Sequence, residues 1–309
     1  MQSHHEVVVI GGSFAGLSAA MQLARARRRV LVIDGRRPRN RFAAHSHGFF
    51  GQDRRAPADI IGDATAQLAE YPSVEVRLGE ARRARLNEGG EGGEGGFVVT
   101  LEDGATVTAE RLILATGVRD ELPEVAGLAE RWGVSVLHCP YCHGYEIGEG
   151  QLGVLATHPM SFHQAMLVSD WGPTTWFTQG AIEPAAEEIA QLEARGVRIE
   201  TSPVAGLLGA APALDGLRLA DGREFPLKAL FVGTRTQMAS DLARQLGCEI
   251  ETTPFGEIVR VDVMKQTSVP GVFAAGDASN MMTNATFASA SGVMAGVAAH
   301  RSLVFPEGQ

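Results

Sequence analysis

Two cysteines separated by two residues stand in the run His138-Cys139-Pro140-Tyr141-Cys142-His143-Gly144-Tyr145-Glu146, with a histidine directly before the first and directly after the second. Such a pair can cycle between dithiol and disulfide, and a neutral imidazole beside it can take or return the proton that each half of the exchange moves. Pro140 suits the first turn of a helix, which sets Cys139 at that helix's N-terminus, where the partial positive charge favours thiolate. Zinc binding is the competing use of two Cys and two His. Adjacent Cys142 and His143 would chelate poorly, however, and no second C-x-x-C or H-x-x-x-H completes the spacing, so no metal is expected. The catalytic candidates are Cys139, Cys142, His143 and His138, with either histidine as the base.

Something must position this run, and composition bounds what it is. At 309 residues, with 45% apolar and 20% charged residues, the chain has room for two domains with separate cores. A net charge of −9 supplies no basic field for nucleic acid or an anionic membrane, so small molecules or proteins are the expected partners. No apolar run is long enough to span a bilayer, and a first strand expected within a few residues of Met1 leaves no room for a signal peptide; a cytoplasmic protein is expected. Three cysteines do not make a disulfide framework, and Cys248, alone, is expected in a core.

Residues 6 to 35 read as strand, glycine turn, helix, strand, the βαβ unit of a parallel sheet. The turn is Gly11-Gly12-Ser13-Phe14-Ala15-Gly16, and Asp34 follows Gly16 by eighteen residues, where an acid can hold a ribose hydroxyl. Ser13 stands where a glycine normally lets the backbone approach a pyrophosphate. A hairpin through Asp103-Gly104 leads to a strand ending at Ala115-Thr116-Gly117, and a second hairpin through Asp221-Gly222 leads to one ending at Gly233-Thr234-Arg235. In each copy the turn glycine precedes the strand-end threonine by twelve residues, which suggests two nucleotide-binding-like halves. The Glu-Gly-Gly tract from Glu88 to Gly96 is expected as a solvated loop.

The later run Gly271-Val272-Phe273-Ala274-Ala275-Gly276-Asp277, followed by a small-residue helix from about Asn284 to His300, is similar to the second FAD fingerprint of two-dinucleotide-binding-domain flavoproteins. With the turn at Gly11, the crossover-like end Ala115-Thr116-Gly117, and a C-x-x-C just past the first connector, nearly the whole chain resembles the low-molecular-weight thioredoxin reductases. The string C-P-Y-C-H-G-Y-E, with Pro38-Arg39-Asn40-Arg41 and His45-Ser46-His47-Gly48, looks more like the branch containing the dithiol oxidases of gliotoxin, holomycin and related disulfide metabolites.

The resemblance implies an α/β fold of two Rossmann-like, FAD/NAD(P)-binding three-layer ββα domains, the second inserted in the first. Residues 1–119 and 237–309 would form the FAD domain, and residues 120–236 the NADPH-domain-like insert carrying the redox motif. It implies FAD as cofactor, held by Gly11, Gly12, Ser13, Phe14, Ala15, Gly16, Asp34, Gly35, Asn40, Arg41, His45, Ser46, Ala115, Thr116, Gly117, Gly276, Asp277, Asn284, Ala285 and Thr286. It also implies a homodimer, a substrate-exchanging role for Cys139 and a flavin-facing one for Cys142. The family's acid follows the second cysteine as Asp; here that position is His143, favoured for this reason as the base.

The second domain should carry its own glycine-rich turn and an arginine cluster for NADPH. The aligned turn is Ala156-Thr157-His158-Pro159-Met160-Ser161, with no glycine, and no arginine follows the strand Thr174-Thr175-Trp176-Phe177 at Thr178-Gln179-Gly180. The expected function is therefore dithiol oxidation, with electrons passing through FAD to O2 and a small-molecule or protein dithiol as substrate. Two other readings stand beside it. One is a disulfide reductase fed by ferredoxin or, atypically, NADPH, for which Arg25, Arg27, Arg28, Arg29, Arg36, Arg37, Arg39 and Arg41 could form a docking patch. The other is a non-catalytic flavin redox sensor.

Overall fold

The structure, a computed structural model, describes residues 3–87 and 95–305. It divides into two compact units, residues 1–41, 58–119 and 236–309 in the first and residues 42–57 and 120–235 in the second. Most of the Glu-Gly-Gly tract lies outside the described residues.

The first unit is built on parallel strands Val74–Leu78, Val30–Asp34, Ser3–Ile10 and Thr106–Leu114, in that order. Beyond them, Val272–Ala274 runs parallel to the far half of Thr106–Leu114, and the hairpin of Ala81–Asn87 and Gly96–Leu101 pairs with its near half. The first strand starts at Ser3, earlier than its apolar run, because Ser3 to His5 pair with Val107 to Ala109. Valines and leucines fill both faces of the central strands, as burial on both sides of a parallel sheet requires.

Helix Phe14–Arg25 packs on helix Ala285–Val304 through small residues. A Cβ on Gly292 would stand 2.0 Å from the Ala15 carbonyl oxygen, and one on Gly296 2.5 Å from that of Ala19. Helix Ala285–Val304 runs one turn past the expected His300, since the Arg111 guanidinium donates to both the hydroxyl and the carbonyl of Ser302 at 2.8 Å.

The second unit holds a five-stranded sheet, ordered Arg198–Glu200, Thr174–Phe177, Leu152–Leu155, Ala229–Val232 and Val136–Leu137, parallel throughout. An antiparallel sheet of Val204–Leu208, Gly216–Leu219 and Glu224–Pro226 supplies the hairpin read from Asp221-Gly222. Segment 42–57 belongs to this unit: a Cβ on Gly133 would meet that of Phe42 at 2.5 Å. Among the described residues no helix is long and apolar enough to cross a membrane.

The contact at Gly292 yields a prediction. Gly292→Val forces helices Phe14–Arg25 and Ala285–Val304 apart, at a cost of about 1–3 kcal/mol. Thermal denaturation should show a lower Tm, with weaker retention of any molecule held by the turn at Gly11.

Candidate active site

In the first unit the strand ends converge. Asp34 ends a parallel strand, and Gly11, Ala115 and Gly276 lie just past the carboxyl ends of others, the edge at which open α/β sheets bind ligands. The turn is too tight for side chains. Gly11, at φ +113°, would put a Cβ 2.1 Å from the Ala115 carbonyl oxygen, and a Cβ on Gly16 would stand 1.7 Å from that of Gly11. Gly12 lies against Asp34, whose Cβ would be 2.5 Å from an added one. Ser13 is the N-cap of helix Phe14–Arg25 but caps nothing with its hydroxyl, and the first turn has no acid. An uncapped helix N-terminus with an acid at the neighbouring strand end is what a dinucleotide pyrophosphate and ribose require, so these residues fit FAD.

Asp277 accepts from the Arg39 guanidinium at 3.1 Å, and Arg39 also donates to the Thr283 hydroxyl at 2.9 Å. Arg39 and Asp277 are 238 positions apart, and only tertiary folding makes them neighbours. Asn284 caps helix Ala285–Val304 by accepting from the Phe287 N–H at 2.7 Å, which places Ala285 and Thr286 in its first turn. Gly35 packs against the side chain of Glu80. Asn40 and Arg41 also lie in the first unit, whereas His45 and Ser46 fall in the second, beside the redox motif.

In the second unit Cys139 and Cys142 are joined as a disulfide with Cα atoms 5.4 Å apart. Strand Val136–Leu137 delivers His138 and Cys139 at its carboxyl end, and Cys139 is the N-cap of helix Pro140–Ile147 with Pro140 in the first turn. Both cysteines are half-buried, while Tyr141, between them in the chain, and Tyr145, three residues past Cys142, are exposed. Trp171 pins the helix, edge-on to Tyr141 and so close to Gly144 that a Cβ there would meet its indole at 2.6 Å.

The two candidate bases differ. Nδ1 of His138 lies 3.3 Å from the Val232 carbonyl oxygen, and the His138 carbonyl accepts from the Gln164 amide at 2.8 Å, so this residue is tied into the sheet edge. Burial holds the His143 imidazole below its ordinary pKa, a nearby His47 adds to the depression, and Glu146 opposes it. His143 is therefore neutral, and able to accept a proton, at neutral pH. His47 and Glu146 were not among the residues singled out from sequence. No local signal pairs them, although both lie in strings that carried the family resemblance.

The turn Ala156 to Ser161 follows strand Leu152–Leu155 and is occupied from within. The Ser161 hydroxyl accepts from the N–H groups of Thr157 and His158 at 3.2 and 3.4 Å, Thr157 donates to the Gly233 carbonyl, and the His158 ring lies against Gly233. Beyond strand Thr174–Phe177, Gln179 accepts from the Val204 N–H at 2.7 Å.

Comparison with known proteins places this geometry. The family model for pyridine nucleotide-disulphide oxidoreductases matches residues 5–155 and 176–292. The thioredoxin reductase sirT of Leptosphaeria maculans is 32% identical, over 94% of this chain and 92% of its own. An oxidoreductase from Agrobacterium tumefaciens, known from its crystal structure, is 48% identical over 99% of this chain and 100% of its own, with a TM-score of 0.92. The crystal structure of HlmI is 36% identical over 97% of this chain and 93% of its own, with a TM-score of 0.89. With a glycine cradle that fits FAD in one unit and a cysteine pair beside a neutral histidine in the other, the chain belongs to the pyridine nucleotide-disulphide oxidoreductases, as a thioredoxin-reductase-like, FAD-dependent disulfide oxidoreductase.

Proposed function

We propose that this enzyme oxidises a dithiol to a disulfide and passes the electrons to O2, in the net reaction R(SH)2 + O2 → R(S–S) + H2O2. The observation that carries this reading is the filled turn of the second unit. In a nicotinamide dinucleotide site, bare backbone N–H groups at a strand-to-helix turn hold the phosphates. Here the Ser161 hydroxyl takes two of those groups, and His158 and Pro159 stand where glycines would leave space. Without a hydride donor, substrate thiols can supply the electrons through the cysteine pair. Four of the eight arginines that could dock ferredoxin are paired with carboxylates of this chain: Arg28 and Arg29 with Glu6, Arg37 with Glu80, Arg39 with Asp277.

The residues take the following roles in this reading. His143 accepts a substrate thiol proton, and the thiolate attacks Sγ of Cys139. The Cys139–Cys142 bond breaks, with its electron pair leaving on Cys142. The helix N-terminus at Cys139 stabilises negative sulfur there. The second substrate thiol, deprotonated in turn, attacks its partner's sulfur, expels Cys139 and leaves as the cyclic or bridged disulfide, so that both electrons remain on the cysteine pair. FAD, when bound, supplies the two-electron acceptor for that pair and the route to oxygen. Gly11 to Gly16, Asp34, Asn40, Arg41, the Ala115 to Gly117 end, Gly276, Asp277 and the helix start at Asn284 to Thr286 would hold FAD. Residues 120–236, joined by segment 42–57, would act as the thiol-exchange domain and the remainder as the FAD domain, in a homodimer.

The holoenzyme tests this directly. Anaerobic dithiothreitol should bleach the flavin band near about 450 nm and NADPH should not, with colour and hydrogen peroxide returning in air. Rapid bleaching by NADPH would instead make the enzyme a reductase. Cys142→Ser should abolish bleaching by dithiol, and Cys139→Ser should slow it by at least about 100-fold.

The filled turn also has a consequence for stability. Burial lowers the pKa of both His158 and His143 below the ordinary 6.5. The unfolded chain therefore binds more protons just below pH 6.5, and the stability present above that pH is lost as pH falls toward the folded values. Chemical denaturation at a series of pH values should show this acid-side decline, and His158→Gln should flatten it.

A further inference from the structure

Segment 42–57 brings to the redox helix a side chain that none of the roles above employs. His47 keeps only 12% of its side chain exposed, and its Nδ1 lies 3.2 Å from Oε1 of Glu146 and 3.6 Å from Oδ1 of Asp53. The turn presenting it is held at several points. The Ser46 N–H donates to the Arg55 carbonyl at 2.7 Å, the Arg54 N–H to the Ser46 carbonyl at 2.8 Å, and the Gly48 N–H to Asp53 at 3.0 Å. Glu146 follows His143 by three residues in helix Pro140–Ile147, so the two side chains share a face. Glu146 thus lies beside His47 and on the same helix face as His143.

The groups facing His143 are few. Glu146 comes from its own helix and His47 from segment 42–57, with Asp53 beyond His47 and, at 58% exposure, screened by water. Helix Ser161–Val168, which also packs on the redox helix, offers only His163, whose ring lies edge-on to Phe162.

We propose that Glu146 and His47 are the positioning residues of the catalytic base. Glu146 aligns His143 and compensates the imidazolium formed when His143 takes a substrate thiol proton, while His47 sets how much of that carboxylate's charge His143 receives. The step is the one already described: the substrate S–H bond breaks, the proton goes to a ring nitrogen of His143, sulfur bonds to Sγ of Cys139, and Cys142 leaves with the electron pair of the disulfide. The inference rests on reading Cys139 and Cys142 as the exchange pair with His143 as base. Neither Glu146 nor His47 need touch substrate.

The geometry demands opposite effects from the two residues. Removing the carboxylate makes the His143 imidazolium less stable, whereas removing His47 takes away the ring whose Nδ1 lies 3.2 Å from Glu146 and frees that carboxylate for His143.

The test uses FAD-loaded enzyme with dithiothreitol as the probe. Anaerobic flavin-bleaching rates are followed between about pH 5 and 9 in wild type, Glu146→Gln, His47→Asn and His143→Asn, and the His143 imidazole is titrated by NMR in the first three. Glu146→Gln should move both the rate profile and the NMR titration to lower pH and slow bleaching several-fold, with Glu146→Asp recovering part of the wild-type profile. His47→Asn should move both to higher pH. Profiles that stay in place, or that move in the same direction in the two variants, overturn the proposal. Should Glu146→Gln fail to fold, the upward shift required of His47→Asn still decides it. His143→Asn should slow bleaching by about 100-fold or more. A wild-type rate in that variant would overturn the assignment of His143 as the base, an outcome separate from the direction of the NMR shifts.

Discussion

Parallel pairing forces the chain to leave every strand at the same edge, because each crossover must return to the opposite edge before the next strand begins. At that edge the backbone carbonyls and the first N–H groups of the following helices are collected together. Both units of this protein depend on that constraint. In the first, strands ending at Ile10, Asp34, Leu114 and Ala274 deliver Gly11, the acid itself, Ala115 and Gly276 to one rim. In the second, strands ending at Leu137, Leu155, Phe177 and Val232 deliver the redox motif, the filled turn, Thr178 and Gly233. Close approach at each rim then decides which residues are tolerated. In the first unit it demands glycine, while in the second a histidine and a threonine have grown into the space.

That difference explains how one architecture could be used twice with different results. The first rim keeps its helix N-terminus uncapped and its glycines bare, and so retains the capacity to meet a pyrophosphate. The second rim satisfies its own turn: Ser161 receives two N–H groups and Thr157 reaches Gly233. Its hydrogen bonds also hold the redox motif, since Gln164 on the helix after the filled turn donates to the carbonyl of His138. A side chain of that helix thus steadies the residue directly before Cys139.

Segment 42–57 shows how a stretch with little regular structure becomes part of a site. Two backbone hydrogen bonds between Ser46 and Arg54–Arg55 close it, Phe42 wedges against Gly133, and His47 is left facing Glu146. A proton acceptor beside a half-buried cysteine pair works best when the charge it gains has a partner, and Glu146 lies one helical turn from His143 on the same element.

The cysteine pair, the proline that starts its helix, the glycine turn with its acid and the second fingerprint around Asp277 were legible in the sequence, since each depends on neighbours within a few positions or on a strand-to-helix period. The two hairpins at Gly104 and Gly222 were legible for the same reason, and the absence of glycine from residues 156–161 already pointed to an altered second site. What the tertiary structure alone decided are pairings of residues far apart in the chain. Arg39 meets Asp277, His47 meets Glu146, helix Ala285–Val304 meets Ala15 through Gly292, and residues 42–57 join the unit of the redox motif rather than that of their sequence neighbours. Local spacing carries no trace of such contacts, because they are set by where distant strand ends arrive once the sheets have formed.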